Sequence, residues 1–182
     1  MRLRRSSYTT ALLSLLLAPA VGHTTEDYRN HEWRFGILAH NKGPIASETE
    51  DGPDINIAYH HLLKNYDWTG LYLHGGAVIN TADGTSYAYS GLNTQFLFGS
   101  SPFYYELGGG LAIHDGDLEK KSENRRELGS RVLFHLEMSL GYNLANGMSL
   151  GFYFDHISNG SILNNDDNRG LDTYGIRLGY SY

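Results

Sequence analysis

Cysteine is absent from this 182-residue chain, and charged residues make up only 19% of it. Without a thiol, the protein has no disulfide, no cysteine-ligated zinc ion, no iron–sulfur cluster and no thiolate nucleophile. The net charge of -6 argues against a nucleic-acid binder. Long hydrophobic runs are also missing, because no segment approaches the roughly 18 apolar residues of a membrane-spanning helix. If the mature protein spans a membrane, it must therefore do so with strands.

Glycine and aromatic residues are abundant instead. The chain has 22 glycines, and aromatic residues reach 13%. This composition favours many short strands with frequent turns over a helical or a disordered protein. The length is that of one domain.

The N-terminus has the composition of a secretory signal peptide. Three arginines lie within the first five residues, and a short apolar segment ends in small residues. We predict a signal peptide over residues 1–20, with cleavage after Ala20 or Gly22, and a mature domain from residue 21 to 182. Removing residues 1–20 takes away three basic residues and no acids, so the net charge changes from -6 to -9.

Apolar and polar residues alternate with a period of two in eight later segments, which is typical of strands. These segments are approximately residues 33–40, 55–63, 71–79, 85–99, 103–113, 132–144, 148–158 and 174–182. Short turns such as Asn146-Gly147 alternate with longer polar loops, as they do in outer-membrane barrels. The sequence therefore predicts an all-β protein, an eight-stranded antiparallel transmembrane β-barrel.

The two faces of the predicted strands differ. One face carries large apolar residues for lipid, and the other carries small residues with a few charges, among them Glu106, Arg131, Glu137 and Arg177. We expect these four to form a salt-bridged polar plug in a narrow barrel, and we expect tyrosines to gather at the strand ends. The alternative is a soluble barrel with its apolar face inward. The long apolar faces and the terminal aromatic residues oppose it.

Several histidines invite a metal-site interpretation. His60 and His61 are adjacent, so on a strand they point to opposite faces and cannot share one ion. His74, His114 and His135 fall on inward faces of different strands. A polar barrel interior explains them more simply than a metal site does.

Polar residues appear on an apolar face near the end of the seventh segment. His156 and Ser158 are two residues apart, so both project to the predicted lipid side. A polar group facing lipid is costly unless it serves a purpose. Asp172 has the same parity as Tyr174 and also faces outward. Antiparallel pairing of the last two strands would bring it beside His156.

These residue types suit nucleophilic ester hydrolysis. Ser158 would attack, His156 would take its proton, and Asp172 would orient the imidazole and stabilise its cation. Asn159 and the backbone N–H of Gly160 would donate hydrogen bonds to the oxyanion. The alternative is a strand that simply runs into a polar loop.

At these residues the chain resembles the lipid A 3-O-deacylase family of outer-membrane acyl hydrolases. The resemblance is carried by His156-Ile157-Ser158-Asn159, by the stretch Asn168-Arg169-Gly170-Leu171-Asp172, and more weakly by residues 102–112. It implies that His156 is the base, Ser158 the nucleophile and Asn159 the oxyanion donor. Asp172 stands where the family commonly has glutamate.

The resemblance also implies where the protein acts and on what. It implies a bacterial outer-membrane enzyme that removes the 3-O-linked acyl chain of lipid A in lipopolysaccharide, from a site facing the lipid. No metal and no cofactor are implied. Two other functions stay open at this point, a phospholipase-type outer-membrane hydrolase and a non-catalytic structural or adhesive barrel. The sequence is also compatible with a homodimer.

Overall fold

The computed structural model describes residues 28–46, 50–119, 121, 125–144, 147–163 and 170–182. The predicted signal peptide over residues 1–20, with its cleavage position after Ala20 or Gly22, lies outside these ranges, as do Asn146, Asn168 and Arg169. Within the described residues, no helix is long and apolar enough to cross a membrane.

The described residues form a closed barrel of eight antiparallel strands, as predicted. The strands are β1 (His31–His40), β2 (Pro53–Tyr66), β3 (Thr69–Asn80), β4 (Tyr87–Leu97), β5 (Phe103–His114), β6 (Val132–Asn143), β7 (Met148–Ser158) and β8 (Leu171–Ser181). Each strand pairs with its neighbour in sequence, and β1 pairs with β8 to close the barrel.

The two ends of the barrel differ in the length of their connections. At one end, which we call the turn end, the connections are residues 67–68, 98–102 and 144–147. At the other, which we call the loop end, they are residues 41–52, 81–86, 115–131 and 159–170. Short turns at one end and longer loops at the other are typical of outer-membrane barrels.

Apolar side chains face outward and polar side chains face inward. Ile37 on β1 and Leu136 on β6 are 74% and 58% exposed, whereas Arg34 and Glu106 are buried. A soluble barrel has the opposite arrangement, with its apolar side chains inside. The soluble alternative is therefore wrong, and the outer surface suits lipid.

Charged side chains pair inside the barrel. Arg34 donates two hydrogen bonds to Glu106, at 2.5 and 2.7 Å, and also binds Glu32. Glu106, Glu137 and Arg177 are buried inside, as predicted. The prediction for Arg131 is wrong, because β6 begins one residue later. Arg131 is exposed at the loop end, where it donates to backbone carbonyls.

Tyrosine fills much of the barrel interior, in addition to the exposed strand-end positions such as Tyr66, Tyr142 and Tyr180. The buried tyrosines are Tyr28, Tyr72, Tyr87, Tyr89, Tyr104 and Tyr153. Their bulk is matched by glycine on neighbouring strands. A Cβ at Gly76 would lie 2.8 Å from the Tyr89 hydroxyl, and one at Gly141 would collide with the Tyr104 ring. Large and small side chains therefore alternate across the narrow lumen.

Glu50 ties the loops together at the loop end. Its buried carboxylate accepts hydrogen bonds from the His40 ring, the Thr85 backbone and hydroxyl, and the Arg126 backbone. Burial raises the pKa of this carboxyl, but the hydrogen bonds outweigh burial and lower the pKa from 4.5 to about 2.

We expect Glu50 to stabilise the barrel in a pH-dependent way. Because its pKa is lower in the folded chain than in the unfolded one, its contribution is complete above about pH 4.5 and is lost as the pH falls towards 2. The shift corresponds to about 3 kcal/mol. In urea unfolding at pH 7, the free energy of unfolding of Glu50→Gln should be well below that of the wild type. The difference should disappear as the pH falls towards 2. Asp51→Asn, at the exposed neighbour, should follow the wild type at every pH. A gap that is independent of pH would contradict the assignment.

Candidate active site

The candidate site lies where β7 and β8 approach the loop end. His156 on β7 and Asp172 on β8 are directly opposite each other in the strand register. The His156 Nδ1–H donates a hydrogen bond of 2.6 Å to Asp172 Oδ1, since a carboxylate can only accept. This bond fixes the tautomer and leaves Nε2 as the basic nitrogen of the ring.

The β1–β2 loop, which is distant from Asp172 in the sequence, holds the Asp172 carboxylate in place. The backbone N–H groups of Ile45 and Ala46 donate to Asp172 Oδ2 at 2.6 and 2.8 Å. Gly43 packs directly against Asp172, so closely that a Cβ would collide with it. We call residues 43–46 the carboxylate clamp. With the bond to His156, Asp172 has partners on both of its oxygens.

The clamp also changes the environment predicted for Asp172. The residue has the outward parity of Tyr174, but it is fully buried instead of facing lipid. The reason is that the β1–β2 loop folds over the outer side of β8. Nothing in the alternation of β8 signals this cover, because the donors are backbone groups of a distant loop.

Ser158 is the last residue of β7, on the same outward face as His156. It is partly buried and pairs with Phe134 of β6. Residues i and i+2 of a strand are about 6–7 Å apart along the backbone, and among the described residues no hydrogen bond joins His156 to Ser158. Catalytic hydrogen bonds are often loose before substrate binds.

The turn after Ser158 is organised by Asn159. Its buried side chain accepts a hydrogen bond from the Ser161 N–H at 2.8 Å and donates one to the Leu128 carbonyl at 3.2 Å. Gly160 follows with a positive φ of 65° and is exposed. In the described part of the chain, no loop hydrogen bond uses the Gly160 N–H. The roles of Asn159 and Gly160 as oxyanion donors stay predictions.

Gly170 is a further residue of the site to which sequence reasoning gave no role. A Cβ at this position would lie 2.7 Å from His156 Cε1 and 3.2 Å from Nε2. The backbone of Gly170 therefore packs against the Cε1–Nε2 edge of the imidazole. The residue lies within the stretch that carried the family resemblance, but only the structure shows its contact with the ring.

We expect Gly170→Ala to lower kcat about tenfold or more, because the added methyl would displace the His156 ring from its working position. Gly99→Ala is the matched control. Gly99 has nearly the same φ, 58° against 55°, but nothing lies within 4 Å of its Cβ position. Both alanines should cost about 1 kcal/mol for the left-handed backbone, and only Gly170→Ala should lose activity. Equal activity in the two variants would contradict the contact.

Apolar side chains surround the polar site on the outer surface. They are Ile45, Phe134, Leu136, Ile162 and Leu163, all of them exposed. Phe134 and Leu136 are the β6 neighbours of Ser158 and His156 in the register. The candidate site therefore places a serine hydroxyl and a carboxylate-paired imidazole beside a surface suited to a hydrocarbon chain. Among the described residues, one group of three potential metal ligands occurs, and it lies in the barrel interior instead.

Comparison with known proteins identifies a family for this chain. The model of the family described as lipid A 3-O-deacylase (PagL) matches residues 51–181. The match begins well before the segments that carried the sequence resemblance. No curated protein matches the chain.

Solved structures with the same fold are outer-membrane barrels. The crystal structure of the outer membrane enzyme PagL matches with a TM-score of 0.64 at 18% identity, covering 82% of this chain and 99% of that one. Neisserial surface protein A matches with a TM-score of 0.53 at 12% identity, covering 84% of this chain and 96% of that one. The N-terminal barrel domain of Pseudomonas aeruginosa OprF matches with a TM-score of 0.50 at 13% identity, covering 85% and 98%. At these identities the structural matches show the fold alone.

Proposed function

Since the chain belongs to the lipid A 3-O-deacylase family, we propose that it hydrolyses the 3-O-linked acyl ester of lipid A in the outer membrane with Ser158 as nucleophile. The observation that supports the serine mechanism is the pairing of His156 with the buried Asp172, which the carboxylate clamp holds. His156 is two residues from Ser158, on the outer face of the barrel. A histidine oriented by a carboxylate beside a serine hydroxyl is the arrangement that activates such a nucleophile.

The first half of the reaction forms an acyl-enzyme. His156 Nε2 takes the proton of the Ser158 hydroxyl as Oγ attacks the ester carbonyl carbon. The negative charge that develops on the carbonyl oxygen is stabilised by the Gly160 N–H and by the Asn159 side-chain amide, which must turn from the Leu128 carbonyl to reach it. When the tetrahedral intermediate collapses, the bond to the sugar 3-oxygen breaks and His156 returns its proton to that oxygen.

The second half releases the fatty acid. His156 takes a proton from water, the hydroxide attacks the acyl carbonyl, and the Ser158 ester bond breaks with return of the proton to Oγ. Asp172 stays ionised throughout, and it holds the imidazole while the ring carries its positive charge. The buried position of Asp172 strengthens this interaction, because little water competes for the carboxylate.

The location of the site explains access to a membrane substrate. The hydroxyl of Ser158 lies at the loop end on the outer wall of the barrel, beside the exposed Phe134 and Leu136. A lipid lying against the barrel can present its ester there without leaving the membrane. The acyl chain then packs on the same apolar surface that contacts lipid elsewhere.

The substrate is tested by offering the purified barrel lipid A and phospholipid in matched detergent micelles. We expect lipid A to lose the mass of one hydroxyacyl chain and phospholipid to stay intact. Fatty acid released only from phospholipid would favour a phospholipase-type hydrolase. Inertness of a correctly folded wild-type barrel towards both lipids would favour a non-catalytic structural or adhesive barrel.

A further inference from the structure

Three side chains that the proposed reaction does not use converge inside the barrel. They are His60 on β2, His74 on β3 and Glu137 on β6, and all three are buried. One ligand atom from each lies within 4.8 Å of the other two. His60 and His74 are cross-strand partners, and Glu137 reaches them from a strand that is not their neighbour.

The imidazole rings of His60 and His74 have ring nitrogens that make no hydrogen bond within the described part of the chain. Within the described residues, neither ring nitrogen of His60 or of His74 has a hydrogen-bond partner. Only His74 Nδ1 has a charged neighbour, the Glu137 carboxylate. Buried nitrogens without a hydrogen bond are costly, because a buried polar group normally pairs. A ligand at the point where the rings converge would satisfy two of them.

The spacing of the cluster suits a metal ion. His74 Nδ1 lies 3.3 Å from Glu137 Oε1. Two ligands bound tetrahedrally at about 2.0–2.1 Å are themselves about 3.3 Å apart. His74 and Glu137 are therefore already at ligand spacing. The ligand atoms are at most 4.8 Å apart. A shift of the His60 ring by about 1.5 Å or less would therefore complete a three-ligand site.

The charge inside the lumen points the same way. Between the turn end and the His40–Glu50 contact at the loop end, the strands place four carboxylates and two guanidinium groups in the lumen. They are Glu32, Glu106, Glu137, Asp155, Arg34 and Arg177. Arg29 at the turn end also pairs with Glu32, at 3.6 Å. Counted without the histidines, three guanidinium groups face four carboxylates, which leaves one negative charge uncompensated. A cation bound beside Glu137 would offset it. An imidazole and carboxylate donor set suits zinc and its neighbours among the first-row metals.

We infer that His60, His74 and Glu137 bind one divalent transition-metal ion of the zinc type in the barrel interior. The Asn93 amide donates to Glu137 Oε1 at 2.6 Å and would orient this ligand. The ion is structural. It ties β2 and β3 to β6 across the lumen, whereas His156 and Ser158 lie on the outer face of the barrel wall. The inference therefore does not depend on the proposed deacylation.

The test measures chelator-resistant metal in folded protein. The chain, made without a histidine tag, is refolded from urea into detergent micelles with Zn²⁺ and passed into buffer containing EDTA. We expect about one zinc per folded chain by mass spectrometry. His74→Gln and Glu137→Gln should each reduce this to roughly a tenth. Refolding with Co²⁺ should give the intense visible bands of a tetrahedral site.

The control is the histidine pair on the outer surface at the turn end. His31 Nδ1 and His61 Nδ1 lie 3.2 Å apart and are only partly buried. The double variant His31→Gln, His61→Gln should keep its chelator-resistant zinc. Loss of zinc in this variant, or a folded wild type that retains none, would overturn the inference.

A second measurement covers the case in which the interior variants do not fold. The urea midpoint of the wild type and of the His31, His61 double variant should rise by the same amount when each is refolded with zinc. An unchanged midpoint in both would overturn the inference. None of these measurements depends on deacylation, so a negative result here is distinct from failure of the proposed function.

Discussion

Replacing Ser158 with alanine is expected to lower kcat for lipid A deacylation by at least about 10⁴-fold, because the variant has no hydroxyl to form the acyl-enzyme. Binding should change little, since the side chain is small and the apolar surface around it is retained. The measurement is the mass of lipid A after incubation with the purified barrel. Folding is checked on the same samples by gel electrophoresis, in which a barrel unfolded by heating migrates more slowly than the folded one.

The matched control is Ser161→Ala, three residues further along in the same turn. Ser161 is exposed, and its contact with Asn159 is made by its backbone N–H, which alanine keeps. This variant should deacylate at close to the wild-type rate. Substantial activity in a folded Ser158→Ala protein would rule out the serine mechanism, even though the family assignment would stand.

Replacing Asp172 with asparagine is expected to lower kcat by about 10³–10⁴-fold. The asparagine oxygen can still accept from Ile45 and Ala46 in the clamp. Its amide N–H groups then face His156 Nδ1, which must become the acceptor. The ring proton moves to Nε2, and the ring can no longer take the proton of Ser158. The loss should therefore appear in kcat with little change in KM.

Two variants separate this role from a general effect of burial. Asp172→Glu keeps the acid and has the side chain common in the family, so it should recover activity relative to the asparagine variant. Asp155→Asn makes the same chemical change at a buried aspartate on the inward face of β7, where it pairs with Tyr87 and Tyr153. It should cost stability and leave kcat of the folded protein nearly unchanged. An Asp172→Asn enzyme with wild-type kcat would contradict the role of the acid.

Because residues 43–46 hold the Asp172 carboxylate, the β1–β2 loop is part of the candidate active site. The clamp reaches the acid through backbone N–H groups, so its action depends on the path of the loop more than on its side chains. The Glu50 group anchors the other end of this loop to the β3–β4 loop and to Arg126. Together these contacts join three loops of the loop end into one support for the acid.

The strands were predictable because alternation has a simple physical cause. In a barrel with lipid outside and a narrow lumen inside, every second residue must be apolar, and the long faces of β6 and β7 show this clearly. Strand ends were less certain. The alternation predicted β8 from Tyr174, whereas the strand begins at Leu171. Its first residues lie under a loop instead of in lipid, so they do not follow the lipid-facing pattern.

The contents of the lumen were predictable only in outline. Sequence showed that polar and small residues face inward, and it identified Glu106, Glu137 and Arg177 correctly. It could not show that Arg34 is the partner of Glu106, because pairing across the lumen depends on strand stagger. It also missed the interior tyrosines, since an aromatic side chain on a strand suits either a lipid face or a lumen with glycine opposite.

By itself the sequence determined the barrel, the outward parity of His156 and Ser158, and the family resemblance, because each of these follows from local alternation or from a short contiguous motif. Only the tertiary structure decided that Asp172 is buried and held by the clamp, that Gly170 packs against the imidazole, and that His60, His74 and Glu137 meet in the lumen. Those arrangements join residues that are distant in the chain, through backbone groups and strand stagger that leave no mark on residue type.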